Sequence, residues 1–125
     1  YLKITDHALT PLLELEFLRS LELRSCFRIR DSGLNTISKI VQLAYLDISG
    51  NYNITEDGIE KLAPIQNLRH LNIGGCRVGD ECVDILLGFP QLKIVDLTRC
   101  RNVSKLGKKF IRKGGVQVED FGLCE

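Results

Sequence analysis

An apolar triplet recurs along this chain at an almost constant interval. Leu18-x-x-Leu21-x-Leu23 is followed by Leu43-x-x-Leu46-x-Ile48, Leu68-x-x-Leu71-x-Ile73 and Leu92-x-x-Val95-x-Leu97, at offsets of 25, 25 and 24 residues. A second column (Ile4, Ile29, Ile54, Val78, Val103) and a third (Leu9, Leu34, Ile59, Val83) keep the same register. Three apolar columns with one period define a tandem repeat. A unit this short cannot bury its apolar face alone, so the units must stack.

Each unit has two halves. The L-x-x-L-x-L half alternates apolar and polar residues with period two, which predicts a short strand with one buried face. The other half predicts a helix. Asp31-Ser32-Gly33-Leu34 and Thr55-Glu56-Asp57-Gly58-Ile59 set a capping residue ahead of apolar positions at helical spacing. Acids follow in four repeats (Asp6, Asp31, Glu56, Asp80), where the positive end of a helix favours them. Strand, turn, helix and return within one period stack into an α/β solenoid with parallel strands on its concave side.

The line L-x-x-L-x-L-x-x-C-x-x-[IV]-[TSG]-D-x-[GC]-[LIV] resembles the cysteine-containing class of leucine-rich repeat. That class occurs in F-box/leucine-rich-repeat ubiquitin-ligase receptors and in relatives of the antagonist-of-mitotic-exit-network protein. The likeness runs from residue 4 to about 113, with Cys26, Cys76 and Cys100 in the cysteine column and Asn51 standing there once. The last repeat departs from it, with Lys105 at the acid and Lys108 at an apolar position. The resemblance implies a right-handed leucine-rich-repeat solenoid as a single domain over 1–125. Its expected parts are a partial repeat over 1–17, full repeats over about 18–42, 43–67, 68–91 and 92–113, and a C-terminal cap over 114–125.

Composition narrows the function classes. The 125 residues are 44% hydrophobic and 26% charged, enough apolar content to fill a core. Uncharged runs such as Ile40–Leu46 are too short to cross a bilayer. No basic-then-apolar leader opens the chain, which begins at Tyr1 and has no Met, as expected of a piece of something longer. The five cysteines (Cys26, Cys76, Cys82, Cys100, Cys124) include no C-x-x-C pair. They suit reduced thiols and an intracellular location, cytoplasmic, nuclear or mitochondrial, better than a secreted disulfide framework. Spaced at the repeat period, Cys26, Cys76 and Cys100 read as packing thiols that bond loop backbone, and zinc would want tighter ligand pairs; Cys124 is a tail thiol with no assigned role. Cys82 shares a column with Gly33 and Gly58 and reads as a small packing residue.

Net charge is +1, which argues against an obligate nucleic-acid binder. The balance is uneven. Between Asp96 and Glu119 there are seven basic residues and no acid. Arg101, Lys105, Lys108, Lys109 and Arg112 form a candidate patch for an anionic partner, RNA or lipid, set against the plainer reading of a solvated capping helix. Phe110, the one aromatic there, is expected to pack into the core, which leaves no stacking platform for bases.

The strand pattern sorts the polar residues by direction. Its middle row is Glu22, Asp47, Asn72, Asp96 and Gln117, flanked by Ser20, Tyr45, His70 and Ile94 and by Arg24, Ser49, Gly74 and Thr98. Tyr45 and His70 should lie one strand spacing apart, about 5 Å. With Ile94 they form an anchor strip, because aromatics dominate interface hot spots. The candidate partner-binding set is Glu22, Arg24, Tyr45, Asp47, His70, Asn72, Ile94, Asp96 and Arg99, with the carboxylates and Asn72 as a polar rim. No glycine-rich phosphate loop, HExxH or nucleophile elbow is present. The chain therefore reads as a non-catalytic module that binds a protein partner, with no cofactor, metal or small-molecule substrate. The resemblance adds two versions: the substrate-recognition part of a ubiquitin ligase, or an assembly or scaffold subunit of a larger complex.

Overall fold

The computed structural model describes residues 6–26 and 29–121; the side chains of Asp6 and His7, with all of Arg28 and Cys124, fall outside the description. Five strands form one sheet in chain order: β1 (Ser20–Glu22), β2 (Tyr45–Asp47), β3 (His70–Asn72), β4 (Ile94–Asp96) and β5 (Gln117–Glu119). All neighbouring pairs are parallel. Between them run α1 (Asp31–Ile37), α2 (Glu56–Lys61), α3 (Cys82–Leu87) and α4 (Lys105–Lys113), each packed on the next. The first segment is a 3-10 helix over Asp6–Glu14, with Pro11 inside it, and packs on α1. This is an α/β leucine-rich-repeat solenoid.

Register follows the sequence columns. Leu46, Leu71 and Val95 align from strand to strand and are fully buried. The second column (Ile29, Ile54, Val78, Val103), the helix residues Leu34, Ile37, Ile59 and Ile111, and Leu62 just after α2 close the core from the other side. Leaving each strand, the chain turns through a left-handed residue in four successive repeats: Ser25, Gly50, Gly75 and Arg99, at φ 52°, 75°, 74° and 66°. Glycine adopts this conformation without steric cost, whereas Ser25 and Arg99 hold it under strain.

The last return is shorter than the period. Val95 aligns with Val118, an offset of 23 residues, after a turn through Gly115 at φ 95°. Gln117 therefore lies beside Ile94 in the flanking row, not in the middle row as expected, and Glu119 takes the place beside Asp96.

Candidate partner-binding face

The open face of the sheet brings most of the expected residues together. Tyr45 pairs with His70 and His70 with Ile94 across adjacent strands. The Tyr45 and His70 rings meet edge to face, with centroids 4.8 Å apart at 63°, the geometry favoured by the charge distribution of aromatic rings. All three side chains are half-buried. Burial first, and the Asp47 charge next, push the Tyr45 phenol above its ordinary value, so it stays a donor.

The middle row is not the exposed rim the sequence suggested. In three repeats its side chain turns back on its own strand end. Ser49 N–H donates to Asp47 Oδ1 (2.9 Å), Gly74 N–H to Asn72 Oδ1 (2.9 Å) and Thr98 N–H to Asp96 Oδ1 (2.8 Å). Short polar side chains favour such local bonds to backbone two residues on. Asp47 is 0% exposed and Asp96 8%. Asp47 also accepts from Ser49 Oγ (2.6 Å) and from Arg24 Nε (2.6 Å), with Asn72 Nδ2 at 3.4 Å. A buried carboxylate must be matched in this way, and so matched it has little left for a partner. Glu22 and Arg24 remain exposed beside it, 4.0 Å apart. Arg99 is exposed on its strained turn, and with Arg24, Gly50, Gly74, Thr98 and Phe121 it lines a groove of about 250 Å³ at the strand exits. Thr98, Asp96 and His70 form no nucleophile–base set: Asp96 holds Thr98 N–H, and Thr98 Oγ1 accepts from Phe121 N–H.

The basic segment is divided differently from expectation. Arg101, Lys105, Lys109 and Arg112 are exposed, but Lys108 is half-buried and ion-paired with Asp120. Phe110, expected in the core, is 51% exposed. The helical turn explains the exchange: Gly107 and Ile111, four apart, take the inward positions and Phe110 is rotated off that face.

Two ladders join the repeats, and only one was legible beforehand. The cysteine column bonds backwards to the preceding repeat, Cys76 Sγ to Ile48 O (3.3 Å) and Cys100 Sγ to Ile73 O (3.2 Å). Cys26, in the first strand unit, bonds its own Arg24 O at 3.5 Å. Asn51 donates to Leu23 O and Ile48 O (both 2.8 Å) and to Ser49 O (3.2 Å). The four described cysteines are free and buried. Burial pushes their thiols up, Cys82 to about 12 and Cys100 to about 11. Among the described residues no group of three or more His, Cys, Asp or Glu could hold a metal ion. No described helix is long and apolar enough to cross a membrane.

The second ladder comes from the helix acids, expected only as favourable charges at helix starts. They bond forwards to the next repeat. Asp31 accepts from Thr55 N–H (2.8 Å) and its hydroxyl, Glu56 from Gly79 N–H, and Asp80 from Ser104 N–H and hydroxyl (both 2.7 Å). The glycine column follows from this. A Cβ at Gly58 would overlap the Asp31 carboxylate, and one at Gly107 the Asp80 carboxylate. Where the acid is the longer Glu56, reaching on to Gly79, the facing position is Cys82. Thr55 is no side-chain cap, whereas Ser104 is, accepting from Gly107 N–H at 3.0 Å. The signal was in the sequence: a short acid pairs with glycine 27 residues on, as Asp31 with Gly58 and Asp80 with Gly107.

With this geometry in view, known proteins can be compared. A family model described as "Leucine Rich repeat" matches residues 65–83. No curated protein matches the sequence. Among solved structures, the tropomodulin C-terminal domain of Caenorhabditis elegans is similar at TM-score 0.70 and 10% identity, covering 97% of this chain and 85% of that one. Leiomodin-1 actin-binding site 2 is similar at TM-score 0.70 and 8% identity, covering 93% and 79%. A chain of the yeast Rad7–Elc1 complex is similar at TM-score 0.67 and 17% identity, covering 95% of this chain and 40% of that one. At such identities the likeness is one of fold. The 25-residue period, the five-stranded parallel sheet and the matched repeat together support a leucine-rich-repeat family for this chain.

Proposed function

We propose that the chain is a non-catalytic protein-binding module whose partner docks on the open face of the sheet. The Tyr45–His70 edge contact, in line with Ile94, carries this reading. Rings held half-buried by their neighbours present apolar area that loses little freedom on docking. Glu22, Arg24 and Arg99 supply polar contacts at the margin, and Asn72 lines the groove. Asp47 and Asp96 hold the strand ends and act on the partner only through Arg24 and Thr98. Five strands span roughly 20–25 Å, small for the ~800 Å² per partner of a standard interface. The loops therefore take part, or the chain binds as one element of a larger assembly.

The finer version makes it the substrate-recognition part of a ubiquitin ligase. Its support is the cysteine line together with the fold likeness to a chain of the Rad7–Elc1 complex. The alternative is an assembly or scaffold subunit of a large complex. Copurification of ligase-core components favours the first, and of other complex subunits the second.

The test is affinity capture with the wild-type chain, a Tyr45→Ala/His70→Ala variant and a helix-side control, Lys39→Glu, all shown to be folded. Partner recovery should fall at least ~10-fold with the double variant, since each anchor is worth more than about 1 kcal/mol, and hold with the control. Equal recovery from all three removes the sheet face as the site.

A further inference from the structure

A second surface lies on the outer layer, away from the sheet. Viewed around its axis, α4 has three sectors. Gly107 and Ile111 are buried against α3 and the core. Leu106 and Phe110, four residues apart, share a strip and are 59% and 51% exposed. Lys105, Lys109, Arg112 and Lys113 form the remaining sector, all exposed. At the helix end Leu87 of α3, itself partly exposed, lies against Gly114 and extends the apolar strip.

Three nearby acids are turned to other partners or flanks, which leaves Glu81, exposed at the start of α3, against the four exposed cations of this sector. Asp80 holds Ser104, and Asp120 holds Lys108. Asp84 lines the groove on the other flank of α3, facing Glu60 of α2. Stacking on α3 uses only the inward face of α4, Gly107 and Ile111, and does not need Leu106 and Phe110 in water.

We propose that the outer face of α4 docks on an anionic phospholipid surface, with Leu106 and Phe110 entering the headgroup region and Lys105, Lys109, Arg112 and Lys113 meeting its charge. An apolar strip bordered by lysine and arginine is the pattern of a helix lying in the membrane interface plane. RNA would pair with the cations but leave Leu106 in water, with Phe110 as the one aromatic to stack on. An acidic amphipathic helix needs a groove to lie in, and the groove described beside α3 is on its α2 side.

Co-sedimentation with vesicles tests this, using phosphatidylcholine alone or with about 30 mol% phosphatidylserine. The wild-type chain should sediment with the anionic vesicles alone, and less so as salt rises from ~0.05 to ~0.3 M. Lys109→Gln/Lys113→Gln should weaken binding about 25-fold, near fivefold per cation. Leu106→Ser/Phe110→Ser should weaken it about 10-fold; both side chains are exposed, so folding, checked by circular dichroism, is retained. Lack of sedimentation, or equal binding by all three proteins, overturns the proposal. So does a single-stranded RNA or an acidic peptide that binds this face in the absence of vesicle binding. The sheet-face reading is untouched by any of these results.

Discussion

The two ladders that tie the repeats together do the same job in different surroundings. From Asn51, Cys76 and Cys100 the inner column reaches backwards to a carbonyl of the preceding repeat in the dry interior. The Asp31, Glu56 and Asp80 column reaches forwards to a loop N–H nearer the surface. Each ladder changes once: Cys26 turns to its own Arg24 O, and α4 has Lys105 in place of the acid. The interior ladder manages with weak thiol donors, because a buried carbonyl without any partner is costly. The outer ladder uses charged acceptors in competition with water, so each bond contributes less.

The largest effect should come from breaking the inner ladder at its strongest rung. Asn51→Leu takes the side-chain donor from Leu23 O, while Ile48 O keeps Cys76 Sγ and Ser49 O keeps Ser25 N–H, and should cost about 2–3 kcal/mol in urea unfolding. Asn51→Cys should cost under about 1.5 kcal/mol, because a thiol serves this position in three repeats and Asn51 Oδ1 has no hydrogen-bond partner to lose. Equal costs for the two variants would mean that packing, not hydrogen bonding, sets this column.

On the outer ladder, Gly58→Ala should cost about 2 kcal/mol by displacing the Asp31 carboxylate from Thr55. The same change in an Asp31→Ala background should cost about 1 kcal/mol less. Additive costs would separate the glycine from the acid.

Alkaline pH tests the buried thiols of both columns. Cys82 and Cys100 hold their protons to about 12 and 11 in the folded chain, above the ordinary 9.0. Between those values the folded state binds more protons than the unfolded, so stability falls as pH rises above about 9. Alkylation at pH 8 with mass-spectrometric mapping should find Cys26, Cys76, Cys82 and Cys100 unmodified until urea is added.

The smallest effect is at Asp80, whose bonds from Ser104 hold its carboxyl below the ordinary 3.8. Its contribution is present above that value and fades as pH falls through it. Asp80→Asn should therefore lower stability slightly at neutral pH, where that contribution is present, and leave the acid end unchanged, so the acid side of the stability curve flattens. A loss at pH 7 as large as that of Gly58→Ala would show the outer ladder to be stronger than its exposure implies.

Much of the fold was legible because burial repeats. Leu46, Leu71 and Val95 announce a strand face whatever lies beside them, and the expected ring spacing of Tyr45 and His70 follows once the strands are parallel. The candidate face was legible in part. Alternation says that Asp47 points away from the core, but its burial depends on Arg24, Ser49 and Asn72, two of them in neighbouring repeats. Phe110 was misplaced because a basic helix with one aromatic suggests an anchored ring, and Ile111 already fills that place.

By itself the sequence determined the period, the order of strand and helix, the parallel sheet and the inward columns. These need only each residue's position relative to its own element. The tertiary structure alone decided which outward residues are open to a partner and which are spent. It turned the helix acids into staples, buried Asp47, paired Lys108 and left Leu106 and Phe110 in solvent. Those outcomes hang on side-chain length and on bonds to residues about one repeat away, and periodicity carries no record of hydrogen-bond partners.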